Sequence, residues 1–169
     1  NEAACGTAKG CVNGTCQYYC GNDCEPWSIV VLPDTQNYTR YSSVTETTYH
    51  KQMQWIVKNK NTKTIPNLKM VLHMGDITND NTDVQWKIAK QAHDILKKAN
   101  IPFAVVNGNH DYRVKGGLGS RSTSKFETYF PESYLKTIKG YGGIYAKHNT
   151  YYNFKAGNQE YIVLNLEYY

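Results

Sequence analysis

Three short apolar runs in this chain each stop at a cluster of oxygen and nitrogen donors. Ser28-Ile29-Val30-Val31-Leu32 leads into Asp34-Thr35-Gln36, and Lys69-Met70-Val71-Leu72-His73-Met74 leads into Gly75-Asp76. Pro102-Phe103-Ala104-Val105-Val106 leads into Gly108-Asn109-His110-Asp111. Carboxylate, amide and imidazole groups are the donors that hold divalent cations. The carboxyl ends of parallel strands are where open α/β sheets gather their chemistry. Met three times, the pattern predicts one shared metal site built from three loops.

Helices must carry the chain from one such strand to the next. Thr45 to about Lys60 reads as a helix, because Tyr49, Met53, Ile56 and Val57 fall on one face. Glu46 near its start and Lys58 and Lys60 near its end suit the helix dipole. Asp80 to Asp83 offers N-cap candidates for a second helix reaching about Lys98, with Asn79 and Asp80 read as capping residues. Its expected core face is Val84, Ile88, Ala92, Ile95 and Ala99, with Trp86 on the flank. The order strand, helix, strand, helix, strand gives the spacing of right-handed βαβ crossovers. After Asp111 comes a glycine-rich basic loop holding Arg113, Lys115, Arg121 and Lys125, which either gathers phosphate or is simply solvated. A short helix from about Lys125 to Phe130 stops at Pro131, and hairpin-like runs lead to a final strand over Glu160 to Leu166.

These motifs resemble those of the calcineurin-like metallophosphoesterase superfamily. Its members carry Asp-x-His, then Gly-Asp-x-x-Asp/Asn, then Gly-Asn-His-Asp/Glu, each just past a strand. Here they read Asp34-Thr35-Gln36, Gly75-Asp76-Ile77-Thr78-Asn79 and Gly108-Asn109-His110-Asp111, over residues 28–169. The first departs from the usual pattern, and its Asp-Thr-Gln form resembles one branch of the superfamily. The implied fold class is α/β: part of a metallophosphoesterase sandwich, a βαβαβ first half followed by hairpin-like strands.

What the resemblance implies chemically is hydrolysis of phosphomonoesters or phosphodiesters by a metal-bound hydroxide, with two divalent cations (Mn, Mg, Fe or Zn) as cofactor. By the same resemblance Asp34 binds the first metal, Asp76 bridges the pair and Asn109 offers its amide oxygen to the second. Gln36 stands where a ligating histidine is usual. Either it ligates as a harder donor, favouring Mg²⁺ or Mn²⁺, or it does not ligate. His110 and Asp111 are the expected catalytic residues. His110 would hydrogen-bond a transition-state oxygen or protonate the leaving group, and Asp111 would orient it. His73 is read as a packed strand histidine, His50 and His93 as helical, and His148 as lying in a polar turn. The superfamily completes its site with a later Gly-His-x-His segment, and no Gly-His pair occurs here. The chain is therefore expected to be the front part of a longer protein, weak or inactive alone, or to work without full metal occupancy.

Charge and cysteines bound the rest. The net charge of +5 is uneven: residues 1–27 hold one lysine against three carboxylates, leaving 18 basic and 11 acidic residues in the remainder. A basic body suits an anionic phosphoester substrate, or serves solubility. The arginines are Arg40, Arg113 and Arg121, with no arginine stripe, so no nucleic-acid partner is expected. No apolar stretch reaches the ~20 residues of a bilayer span.

Cys5, Cys11, Cys16, Cys20 and Cys24 all fall in the first 24 residues. Such crowding reads as a disulfide-stapled segment, residues 1–27, preceding a phosphoesterase-like domain over 28–169, in a secreted or extracellular protein. Zinc is the rival ligand, weakened by the lack of CxxC pairs. Because five is odd, one cysteine stays free, pairs outside the chain or bridges two molecules. Asn13-Gly14-Thr15 and Asn37-Tyr38-Thr39 fit the N-glycosylation pattern, and Asn13 is the expected acceptor because a glycan at Asn37 would crowd the first loop. A second function class follows from these features: an extracellular assembly module that keeps the phosphoesterase scaffold without turnover.

Overall fold

A computed structural model describes residues 9–12, 15–18, 26–40, 44–115, 117–120 and 123–168, with side chains for 26–40, 48–115, 117–120 and 123–168. Cys5, Cys20, Cys24 and Asn13, the expected disulfide and glycosylation positions, lie outside these residues. β1 (Lys9–Val12) and β2 (Thr15–Tyr18) form an antiparallel pair that sets Cys11 opposite Cys16.

The three apolar runs make one parallel sheet. β3 (Ser28–Leu32), β4 (Leu68–His73) and β5 (Phe103–Ala104) lie in the order β3-β4-β5, with Val30 beside Val71 and Leu32 beside His73. The third strand is shorter than its apolar run. Past Ala104 the backbone turns to other partners: Asn165 Nδ2 donates to the Val105 carbonyl at 2.7 Å, and the Tyr168 N–H donates to the Asn107 carbonyl at 2.9 Å. Trp27 fixes the entry to β3 by packing its ring on Phe154 and Tyr161, with centroids at 5.5 and 5.0 Å.

α1 (Gln36–Arg40) begins at Gln36 itself. α2 (Val44–Asn59) buries Tyr49, Met53 and Ile56, as its periodicity predicts. α3 (Asp83–Lys98) is rotated from the expected face: Gln85, Trp86, Ile88, Ala89, Ala92, His93 and Leu96 are buried, while Val84 is 65% exposed. Trp86 decides this rotation. Its indole N–H donates to Asn81 Oδ1 at 2.7 Å, and its ring packs against Phe126, Tyr129 and Phe130. Burying the largest ring outweighs burying a valine.

Thr82 is the N-cap of α3, accepting from the Gln85 N–H at 3.4 Å. Asn79 and Asp80, read as capping residues, bond elsewhere, as described below. The helix ends in a Schellman arrangement: Asn100 takes φ +54, its N–H bonds to the Lys97 carbonyl, and the Ile101 N–H bonds to that of Leu96.

A small antiparallel ribbon, β6 (Arg113–Val114) and β7 (Gly117–Leu118), follows the third loop. Then come α4 (Phe126–Tyr129), α5 (Glu132–Leu135) after Pro131, and a meander of β8 (Tyr141–Tyr145), β9 (Asn149–Ala156) and β10 (Gln159–Asn165). The core joins α2, α3 and the parallel sheet to Phe126, Phe130, Leu135, Ile138 and Tyr152. Mixed α/β architecture around a parallel sheet is thus as expected, and α5 is an addition.

Candidate active site

The first loop is held to the second through Thr35. Its hydroxyl lies 2.8 Å from His73 Nε2, 3.1 Å from the Tyr49 hydroxyl and 3.4 Å from the Ile77 carbonyl. The Gly75 N–H donates to His73 Nδ1 at 3.2 Å, so the His73 proton sits on Nε2 and points at Thr35. Burial, with His93 nearby, pushes the His73 imidazole well below its ordinary pKa and keeps it neutral. His73 is therefore the packed strand histidine that the sequence suggests, and it also aims the loop carrying Asp34 and Gln36.

Backbone contact explains the glycines of the second and third loops. A Cβ on Gly75, whose φ is +94, would stand 2.6 Å from the Gly108 nitrogen. One on Gly108 would stand 2.2 Å from Asp76 Oδ1. Asp76 itself is left-handed, with φ +50, which aspartate tolerates better than most residues. Its Oδ1 accepts the His110 N–H at 2.8 Å, so the carboxylate lies across the third loop.

Asp111 ties the two loops together. Its fully buried carboxylate accepts four hydrogen bonds: from the Ile77 N–H at 3.0 Å, the Thr78 N–H at 2.7 Å, the Thr78 hydroxyl at 2.8 Å and the Gly108 N–H at 2.9 Å. Burial pushes its pKa up to about 6, against the downward pull of those donors. The expectation that Asp111 orients His110 is corrected here. His110 Nδ1 instead donates to the Asn79 carbonyl at 3.0 Å, which makes Nε2 the nitrogen that can exchange a proton. Asn79 thus acts through its backbone on His110. Asp80 accepts from Gln85 Nε2 at 3.0 Å and stands 3.9 Å from the Arg113 guanidinium.

A second buried cluster stands behind the third loop and was missed in the sequence. Glu167 accepts from the Tyr112 hydroxyl, from His148 Nδ1 at 2.7 Å and from Asn149 Nδ2 at 3.3 Å. Both Glu167 and His148 are buried, so His148 belongs to the interior as well as to a turn. The signal was present: the final apolar run also ends in a donor, as the three loop-bearing runs do.

The expected ligands are Asp34, Gln36, Asp76 and Asn109; Asp34 is exposed and the other three are half-buried. Gln36 Oε1 is buried with no hydrogen-bond partner among the described residues. Leaving such an oxygen unpaired costs about 1–3 kcal/mol, a cost that a cation would remove. Two carboxylates and two amide oxygens form a hard donor set that suits Mg²⁺ or Mn²⁺. Among the described residues, no three His, Cys, Asp or Glu side chains converge to hold an ion. The donors fit a hard cation in kind, and they fall short of the full two-cation centre expected from the sequence.

The model of the calcineurin-like phosphoesterase family matches residues 28–166, which include all three loops. The chain belongs to the calcineurin-like phosphoesterase family. Phosphoesterases of this family typically use a dinuclear metal centre. The "Uncharacterized protein YvnB" of Bacillus subtilis (strain 168) is 34% identical over 141 residues, which are 82% of this chain and 10% of that protein. The chain thus spans about a tenth of the length of this relative. Among the described residues, no helix is long and apolar enough to cross a membrane.

Proposed function

We propose that this chain contributes the catalytic loops of a secreted, metal-dependent phosphoesterase acting on phosphomonoesters or phosphodiesters. The observation that carries the proposal is the seating of Asp76 across the third loop, with its Oδ1 on the His110 N–H at 2.8 Å. Asp34, Gln36, Asp76 and Asn109 would hold the cations. When bound, these would lower the pKa of a water and neutralise phosphoryl charge. His110, whose Nδ1 proton is committed to Asn79, would exchange a proton at Nε2 with the departing alcohol. Asp111 keeps the two loops in register and touches no substrate. The crowding of five cysteines before residue 25 supports secretion.

Hydrolysis of p-nitrophenyl phosphate and bis(p-nitrophenyl) phosphate by the Mn²⁺-loaded full-length protein tests this. Asp76→Asn is expected to lower kcat/KM by at least 100-fold. Equal activity in the wild type and the variant would refute the proposal.

A second reading, an extracellular assembly module without turnover, draws on the edge strand β10, whose Ile162 and Leu164 are each 69% exposed. Concentration-dependent multimers of a protein that shows no Asp76-dependent turnover would favour it.

A further inference from the structure

A cleft of about 700 Å³ opens beside the third loop, lined by Asp80, Thr82, Asn109, Arg113, Lys115 and Leu118 among others. Asn109 is one of the expected metal donors, so an ester whose phosphorus sat at the loops would send its alcohol arm into this space. The volume is that of a small-molecule site. Its chemistry is mixed, with two cationic side chains from the β6–β7 ribbon and two exposed apolar ones, Val114 and Leu118, beside them.

The ribbon is a fixed mount. Asn81 Nδ2 donates to the Arg113 carbonyl at 3.1 Å, and the Gly119 N–H and the Thr123 hydroxyl both donate to the Tyr112 carbonyl, at 2.9 and 2.8 Å. The Arg113 guanidinium is less constrained, standing 3.9 Å from Asp80 Oδ1, beyond hydrogen-bond reach. Asp80 also feels Arg40, so positive charge flanks this carboxylate on two sides. Thr82 brings the positive end of the 16-residue helix α3 to the same cleft.

We infer that the cleft is the subsite for the alcohol arm of the substrate, and that this arm carries a second phosphate held by Arg113 and Lys115. Arg113 and Lys115 outnumber the Asp80 carboxylate on this wall, and a planar guanidinium can grip two phosphate oxygens at once. The apolar ribbon side chains cover the carbon linker between the two phosphates. The inference rests on the phosphoesterase reading of the neighbouring loops.

Isothermal titration calorimetry of the whole chain in Mn²⁺ buffer tests it, with methyl phosphate and propane-1,3-diyl bisphosphate as probes. The wild type is expected to bind the bisphosphate at least ten-fold more tightly. Lys115→Ala and Arg113→Ala should each cut that preference at least three-fold and leave methyl phosphate affinity unchanged. Lys115 is exposed, so Lys115→Ala decides the matter if Arg113→Ala fails to fold. Equal binding of the two probes by the wild type, or an unaltered preference in Lys115→Ala, overturns the inference. Undiminished hydrolysis in Asp76→Asn would refute the active-site reading without altering this preference, so the two failures are distinguishable.

Discussion

Gln36 shows how much a single atom can say about a site. Its side-chain oxygen is buried and unpartnered among the described residues, although α1 begins at this very residue and could have turned it to solvent. In the metal-free chain, Gln36→Met should be neutral or raise stability by up to about 1 kcal/mol, because it removes an unpaired oxygen at similar volume. In Mn²⁺ titrations the same variant should bind at least ten-fold more weakly. Unchanged affinity would mean that Gln36 does not ligate. Asp111 is the opposite case, a carboxylate whose four donors are all protein groups. Asp111→Ala strands those buried donors and should cost about 3–5 kcal/mol in denaturant melts.

Between elements, the contacts are backbone against backbone, and this makes them intolerant. Gly108→Ala would drive a Cβ to 2.3 Å from the Asp76 nitrogen, and no side-chain rotation relieves a clash with main chain. The variant should lose several kcal/mol of stability, as overpacked cores do (~1–3 kcal/mol or more), and lose metal binding with it. The Glu167 cluster supports the same loop from behind. It joins the segment after β10 to Tyr112, two residues past His110. Glu167→Gln keeps the shape but puts an amide where Tyr112 and His148 both donate to one carboxylate oxygen. It should cost about 1–3 kcal/mol and raise hydrogen exchange across residues 108–113. Equal exchange in both proteins would show that the cluster does not stiffen the loop.

For the molecule as a whole, acid is the expected weakness. His93 is fully buried among Tyr49, His73, Phe103 and Phe130, and burial lowers its pKa to about 4. His73 is lowered in the same direction. Unfolded histidine titrates near pH 6.5, so between about 6.5 and 4 the unfolded chain binds more protons than the folded one. The histidines' contribution is therefore complete above pH 6.5 and falls as pH drops through that window, while Asp111, raised to about 6, opposes it below pH 6 because its folded carboxyl takes up a proton first. His93 alone should remove about 2 kcal/mol between pH 7 and pH 5. His93→Phe, which fills the same space without a titratable ring, should flatten that part of the curve in urea melts.

Much of this was legible in the residues. Runs of β-branched and aliphatic side chains ending in donors located the three strands and the loops beyond them. Three- and four-residue spacing located α2 and the extent of α3, because burial acts on one face of a helix and leaves its period in the chain. The face of α3 was not legible. Val84 and Trp86 compete for the interior, and the choice falls to Asn81 and the rings of α4, which lie far along the chain. The roles of Asp111 and Glu167 were hidden for the same reason. An acid next to a histidine in sequence suggests a pair, yet each carboxylate bonds to donors 3 to 55 residues away. Local order determines periodicity and turn chemistry. Which partner satisfies a buried charge depends on where the loops meet, and only the tertiary structure decides that.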